Sequence, residues 1–170
     1  MLNKLMVYTL ICTFVCICFV PCAWGKKIKI HDAAPDFSLL DSEGNVHTLS
    51  ALRGKKVALY FYPKDSSPYC TKQACNLRDN FATLKKEGIT ILGISSGSTK
   101  SKQKFKTKYQ LPFPLLQADK KTLRAYGVHG FLTKRKTFLI DGNGTIVDII
   151  TKVDVNNHTQ QIINGFKKSS

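Results

Sequence analysis

Two cysteines five residues apart, Cys70 and Cys75, are the side chains of this sequence best suited to do chemistry. Cys70 closes the run Pro63-Lys-Asp-Ser-Ser-Pro-Tyr-Cys70, in which an apolar strand gives way to a loop and then to the first turn of a helix. A helix amino terminus carries partial positive charge and free N–H groups, and both favour a thiolate over a thiol. Ser67, three residues earlier, can set a hydroxyl beside the sulfur, and Pro63 stiffens the loop and screens the site. The basic segment Thr133-Lys-Arg-Lys136 leads into a later strand. If that strand starts beside the same pocket, Arg135 can stabilise the thiolate and hold an oxygen substrate with its fork of donors.

Cys75 is harder to place. In a straight helix, positions i and i+5 lie about 140° apart around the axis, with Cα atoms about 8.7 Å apart. A disulfide needs Cα atoms within about 7 Å. Either the segment is not helical and the pair is a static structural bridge, or the bond forms only when the helix unwinds locally. The second case describes a two-state catalyst, in which Cys70 is oxidised to a sulfenic acid and Cys75 then attacks it. From the residues alone both readings stand. The spacing is not the C-x-x-C of a disulfide oxidoreductase. Two cysteines with no neighbouring histidine make no zinc site, and no metal or cofactor is called for.

Strands and helices in alternation must position these groups. Phe37–Leu40 and Val46–Leu49 flank the turn residues Asp41–Asn45 and predict a small hairpin. Val57–Tyr62 is a short apolar run of the kind buried in a central sheet. Ala74, Leu77, Phe81 and Leu84 recur at helical steps, predicting one helix over 68–87 that Gly88 ends. Ile89–Ile94 reads as the next strand, and Ser98/Thr99 cap a lysine-rich helix reaching about Tyr109. A brief extended segment at Leu115-Leu116 and a helix near Asp119–Tyr126 follow. Thr137–Ile140 and Thr145–Thr151 form a hairpin across the Asp141-Gly-Asn-Gly144 turn, and a last helix covers about 156–167. The class is therefore α/β, a three-layer domain with a central mixed sheet flanked by helices and an N-terminal hairpin extension. No glycine-rich phosphate loop is present, which argues against a nucleotide enzyme.

The chain has 170 residues, enough for one domain, with six cysteines and a net charge of +15. Four of the cysteines, Cys12, Cys16, Cys18 and Cys22, fall in residues 1–25. That stretch holds Lys4, no acid, and a greasy run from Leu5 to Val20, with the small residues Ala23 and Gly25 behind it. The layout is that of a secretory signal cleaved after Gly25, with an uncleaved anchor as the alternative. Cleavage leaves a domain over 26–170 with net charge +14 and one cysteine pair, exported to the periplasm or the outside and detached from the membrane.

The strong positive charge raises a rival, a non-enzymatic binder of anionic partners. Most lysines are scattered, with one concentration from Lys100 to Lys108, and read as a solvated surface, so no specific nucleic-acid partner is expected. His31, His47, His129 and His158 read as surface or packing residues rather than as a catalytic base.

The segment from Phe61 through Cys70 and Cys75 to Asp79 resembles the active-site segment of the peroxiredoxins, and more narrowly their bacterioferritin-comigratory, or Q-type, subfamily of the AhpC/TSA family. The likeness continues through Ala34–Phe37, Gly93–Ser95, Leu111–Leu116, Tyr126–Val128 and Thr137–Asp141, so it spans about residues 32–165. The resemblance implies a thioredoxin-like fold and a thiol-dependent peroxidase acting on hydrogen peroxide and organic hydroperoxides. By motif position Cys70 is the peroxidatic and Cys75 the resolving cysteine, joined as an intramolecular disulfide. Pro63, Ser67 and Arg135 fall on the remaining family positions. Tyr69 stands where the subfamily usually has glycine, placing a bulky ring beside the nucleophile. The implied partners are a hydroperoxide and an exported thioredoxin-like reductant, and the implied state is a monomer. The alternative function is an exported thiol–disulfide exchange protein on the same fold.

Overall fold

The computed structural model describes residues 27–169, so the leader expected over residues 1–25 lies outside the described residues. A hairpin of β1 (Ser38–Leu40) and β2 (Val46–Thr48) comes first, followed by a 3-10 turn at Leu49–Leu52. Asp41 makes the hairpin turn, accepting from the backbone N–H groups of Glu43 and Asn45 and bonding the His47 ring at 2.8 Å. Burial opposes the Asp41 charge, but the bonds to His47, Asn45 and Glu43 win and hold the carboxyl down at about 2.

The main sheet has the order β5-β4-β3-β6-β7. Its strands are β3 (Lys56–Phe61), β4 (Ile89–Ser95), β5 (Leu115–Gln117), β6 (Lys136–Ile140) and β7 (Ile146–Ile150). Strands β3, β4 and β5 run parallel, β6 runs antiparallel beside β3, and β7 closes the edge antiparallel to β6. β3 lies at the centre and is covered on both faces, which is why Val57–Tyr62 is continuously apolar. Val57, Leu59 and Phe61 pack with Phe37, Tyr126 and Phe138 on one face, and Ala58, Tyr60 and Tyr62 pack with Cys70, Ala74 and Leu77 on the other. The expected mixed sheet flanked by helices, with an added hairpin, is what forms.

The helices are α1 (Pro68–Asp79), α2 (Phe81–Lys86), α3 (Thr99–Tyr109), α4 (Lys120–Ala125) and α5 (His158–Lys168). Two of the expectations need correction. The single helix over 68–87 is broken at Asn80, whose side-chain amide donates to the Asn76 carbonyl at 2.8 Å and whose ψ of 15° ends α1. The lysine run on α3 is not wholly a solvated face, because Lys102 is completely buried. Phe105, one helical turn on, is buried too, so the two share the inward face.

Candidate active site

Strand register brings the predicted residues together. Phe61, at the end of β3, pairs with Lys136, at the start of the antiparallel β6. The loop that leads from β3 into the helix bearing Cys70 and the residue just before β6, Arg135, therefore meet at one end of the sheet. Pro63 is half-buried in that loop. Ser67 is the N-cap residue of α1, with extended backbone at φ −70° and ψ 150°, and Pro68 starts the helix where its missing N–H is not needed. The Ser67 hydroxyl donates to the Lys64 carbonyl at 3.2 Å, which uses its one hydrogen and leaves only lone pairs for a neighbour.

Cys70 lies in the first turn of α1 with 1% of its surface exposed. The Arg135 Nη2 donates to Cys70 Sγ at 3.3 Å. The guanidinium and the helix amino terminus thus place positive charge beside one buried sulfur. Cys75 is in the same helix, half-buried, and both cysteines are free thiols. Cys70, Gln73, Ala74 and Leu77 form the buried stripe of α1, and Cys75 lies off it. The intact helix holds the two sulfurs on different faces, as its geometry requires. The Tyr69 ring is 68% exposed and turned to solvent.

Arg135 is itself held. Its Nη1 donates to Gln73 Oε1, so the Gln73 amide group faces His158 and lies 3.2 Å from the ring Nδ1. His158 Nε2 lies 2.9 Å from the Thr137 hydroxyl. Burial pushes His158 down to about 3, with the Arg135 charge adding to the effect, so the ring is neutral at ordinary pH. A neutral imidazole has one donor and one acceptor. Because Gln73 spends its oxygen on Arg135, it donates to Nδ1, and the ring hydrogen sits on Nε2 facing Thr137. Tyr60 completes the wall, its ring edge-on to His158 with centroids 6.1 Å apart. Burial raises the Tyr60 phenol well above its usual range, and the neighbouring Cys70 and Asp65 raise it further.

Comparison with known proteins shows the family. The AhpC/TSA family model matches residues 30–149. A Coxiella burnetii protein named as a peroxiredoxin of the bcp type is 44% identical over 147 residues, covering 81% of this chain and 97% of the relative. Peroxiredoxin Bcp of Escherichia coli K12 is 38% identical over 153 residues, covering 84% and 98%. The chain belongs to the AhpC/TSA family, as a thiol peroxidase of the Bcp/Q peroxiredoxin type. Among solved structures, the Xanthomonas campestris bacterioferritin comigratory protein, described for its alkyl peroxide reduction activity, matches with TM-score 0.73 and 32% identity over 78% of this chain and 90% of that one.

Within this peroxiredoxin, sequence reasoning missed Gln73, Thr137, His158 and Tyr60. Gln73 was within reach, since it lies three residues after Cys70 and so on the same helix face. His158 is 85 residues from its partner Gln73 and nothing local links them. The thiol–disulfide exchange alternative is not favoured, because the named relatives are peroxiredoxins.

Proposed function

We propose that this peroxiredoxin reduces hydrogen peroxide and organic hydroperoxides through Cys70, with Cys75 resolving the product. The reading is carried by the Arg135 Nη2–Cys70 Sγ contact of 3.3 Å at the amino terminus of a helix that also holds a second free cysteine. The Cys70 thiolate attacks the terminal peroxide oxygen, the O–O bond breaks, and the alkoxide leaves and takes a proton to become an alcohol or water. Sulfur gains the oxygen as a sulfenic acid. Arg135 binds the peroxide oxygens and offsets the charge that moves from sulfur to the leaving oxygen. Pro63 holds the loop and Ser67 supplies lone pairs at its rim.

The first turn of α1 then unwinds, the Cys75 thiol attacks the sulfenic sulfur, and a disulfide forms with release of water. A dithiol reductant returns both cysteines to thiols and is oxidised to its own disulfide. The Xanthomonas relative's alkyl peroxide reduction supports an organic hydroperoxide as a substrate. The leader-like composition of residues 1–25 supports export, and with it a thioredoxin-like reductant in the receiving compartment. Both cysteines lie on one helix, so the cycle closes within a single chain and a monomer suffices.

The test is the intact mass of the reduced domain over residues 26–170 before and after one equivalent of hydrogen peroxide. Loss of about two mass units within seconds, abolished by Cys70→Ser, is the expected result, and Cys75→Ser traps a species heavier by about one oxygen. No change on that timescale overturns the reading.

A further inference from the structure

Lys102, Asp65, Tyr62 and Ser95 form a buried polar cluster that the chemistry at Cys70 does not use. The Lys102 side chain is 0% exposed and that of Asp65 3%, with Nζ 3.5 Å from Oδ1. Lys102 Nζ also donates to Ser95 Oγ and sits 5.3 Å from the centroid of the Tyr62 ring. Asp65 Oδ1 accepts from the Tyr62 hydroxyl at 2.7 Å and from Ser95 Oγ at 3.4 Å. Its Oδ2 is buried with no hydrogen-bond partner among the described residues. That oxygen packs against Gly97, where a Cβ would overlap it. Taking two opposite charges out of water is costly, and losing one partner leaves the other charge buried and unpaired. Burial lowers Lys102 to about 8, and the Asp65 carboxylate pulls the other way.

The cluster's position gives it a consequence for the reactive helix. Tyr62 and Asp65 belong to the segment between β3 and α1, whereas Lys102 belongs to α3, so the pair fastens the lead-in of α1 to another helix. Ser66 follows Asp65 directly and has φ 58°, a left-handed conformation that costs a non-glycine residue free energy. Ser67, the N-cap of α1, comes next. A strained turn persists only when its flanks are held, and Asp65 is the flank on the strand side.

We propose that Lys102 is a positioning residue. By pairing with Asp65 it pins the turn at Ser66, and so sets the balance between the folded first turn of α1, where Cys70 meets peroxide, and the unwound turn, from which Cys70 reaches Cys75. The inference rests on the assignment of Cys70 and Cys75 above. It adds that the timing of the two half-reactions is set by a residue that touches neither sulfur.

The experiment measures the two half-reactions separately in the domain over residues 26–170, by rapid quenching and intact mass. Oxidation of Cys70 is followed as a second-order rate with hydrogen peroxide, and loss of the sulfenate to disulfide as a first-order rate. In Lys102→Met the unpaired Asp65 carboxylate pulls the turn open, so oxidation slows about tenfold while disulfide formation speeds up about threefold. Opposite changes in the two rates are not what general loss of structure produces. Asp65→Asn/Lys102→Met removes both charges and returns both rates towards wild type, a non-additivity that reports direct coupling. Asp65→Asn alone keeps an acceptor for Tyr62 and serves if Lys102→Met does not fold, with the same opposite pair of changes expected. Rates that fall together, rates within twofold of wild type, or a double variant as impaired as the sum of the singles overturn the proposal. If wild type itself shows no oxidation by peroxide, it is the assignment of Cys70 that fails.

Discussion

Gln73 accepts a hydrogen bond from Arg135 with its amide oxygen, and this leaves the other guanidinium nitrogen aimed at Cys70 Sγ. An arginine has several rotatable bonds, so without such a hold its head would sample many positions. Gln73→Ala is expected to lower the second-order rate with hydrogen peroxide by about tenfold to a hundredfold, because the freed guanidinium no longer waits at the sulfur. Gln73→Glu keeps the acceptor and loses the donor to His158, so it retains more of the rate. Stopped-flow oxidation of the two variants decides this, and equal rates for both would refute it.

Removing the guanidinium is expected to cost more. Arg135→Met lowers the oxidation rate by about a hundredfold or more while leaving the fold intact, since the residue precedes β6 rather than lying inside it. Arg135→Lys is not a rescue, because a point charge cannot reach Gln73 and Cys70 at once. Peroxide-dependent rates of the two variants, beside their circular dichroism, check this.

His158 gives the protein an acid sensitivity whose sign is fixed. Its folded value is about 3 and the ordinary value is 6.5, so between these the unfolded chain binds the extra proton. The stabilisation is complete above pH 6.5 and is lost as pH falls towards 3. From pH 6.5 to 4.5 the loss amounts to about 2 kcal/mol. Urea unfolding at the two pH values should show this drop in wild type and a flatter dependence in His158→Gln. Equal slopes for both proteins would exclude His158 as the cause.

Tyr60 carries a hydroxyl that is buried and has no hydrogen-bond partner among the described residues. Tyr60→Phe is therefore expected to be neutral or stabilising by about 1 kcal/mol in thermal unfolding. Gly93 lies against the same ring, and a Cβ there would sit 2.6 Å from both the Tyr60 Cζ and the hydroxyl oxygen. Gly93→Ala should destabilise by about 1 to 3 kcal/mol, and less in the Tyr60→Phe background. An undiminished penalty in that background would mean that the overlap with the ring carbon and with Leu115 Cδ2 at 2.7 Å, not with the hydroxyl, sets the cost.

The residues that could be read ahead were those whose partners are set by local pattern. The apolar run Val57–Tyr62 announced a strand covered on both faces, and Cys70 and Arg135 followed from a strand end and a basic strand start. The break at Asn80 stayed hidden because a side-chain hydrogen bond to Asn76, not a proline or glycine, ends α1. Lys102 was hidden by its neighbours, since a lysine run looks solvated unless Phe105 is used to find the inward face. His158 belongs to a contact made only by tertiary folding. Ser67 lies where expected but turns its hydroxyl to Lys64, a choice among rotamers that spacing does not decide.

The bond between Gln73 and His158 joins α1 to α5, so the reactive centre is assembled partly by the last helix of the described chain. During synthesis the segment carrying Cys70 leaves the ribosome before α5 exists. Until α5 docks, Gln73 lacks the imidazole that orients its amide, and Arg135 lacks a fixed Gln73 to rest on. The nascent polypeptide therefore carries the Cys70 thiol before the hydrogen-bond chain from His158 through Gln73 to Arg135 can form, and completes that chain only once α5 has been made and has docked.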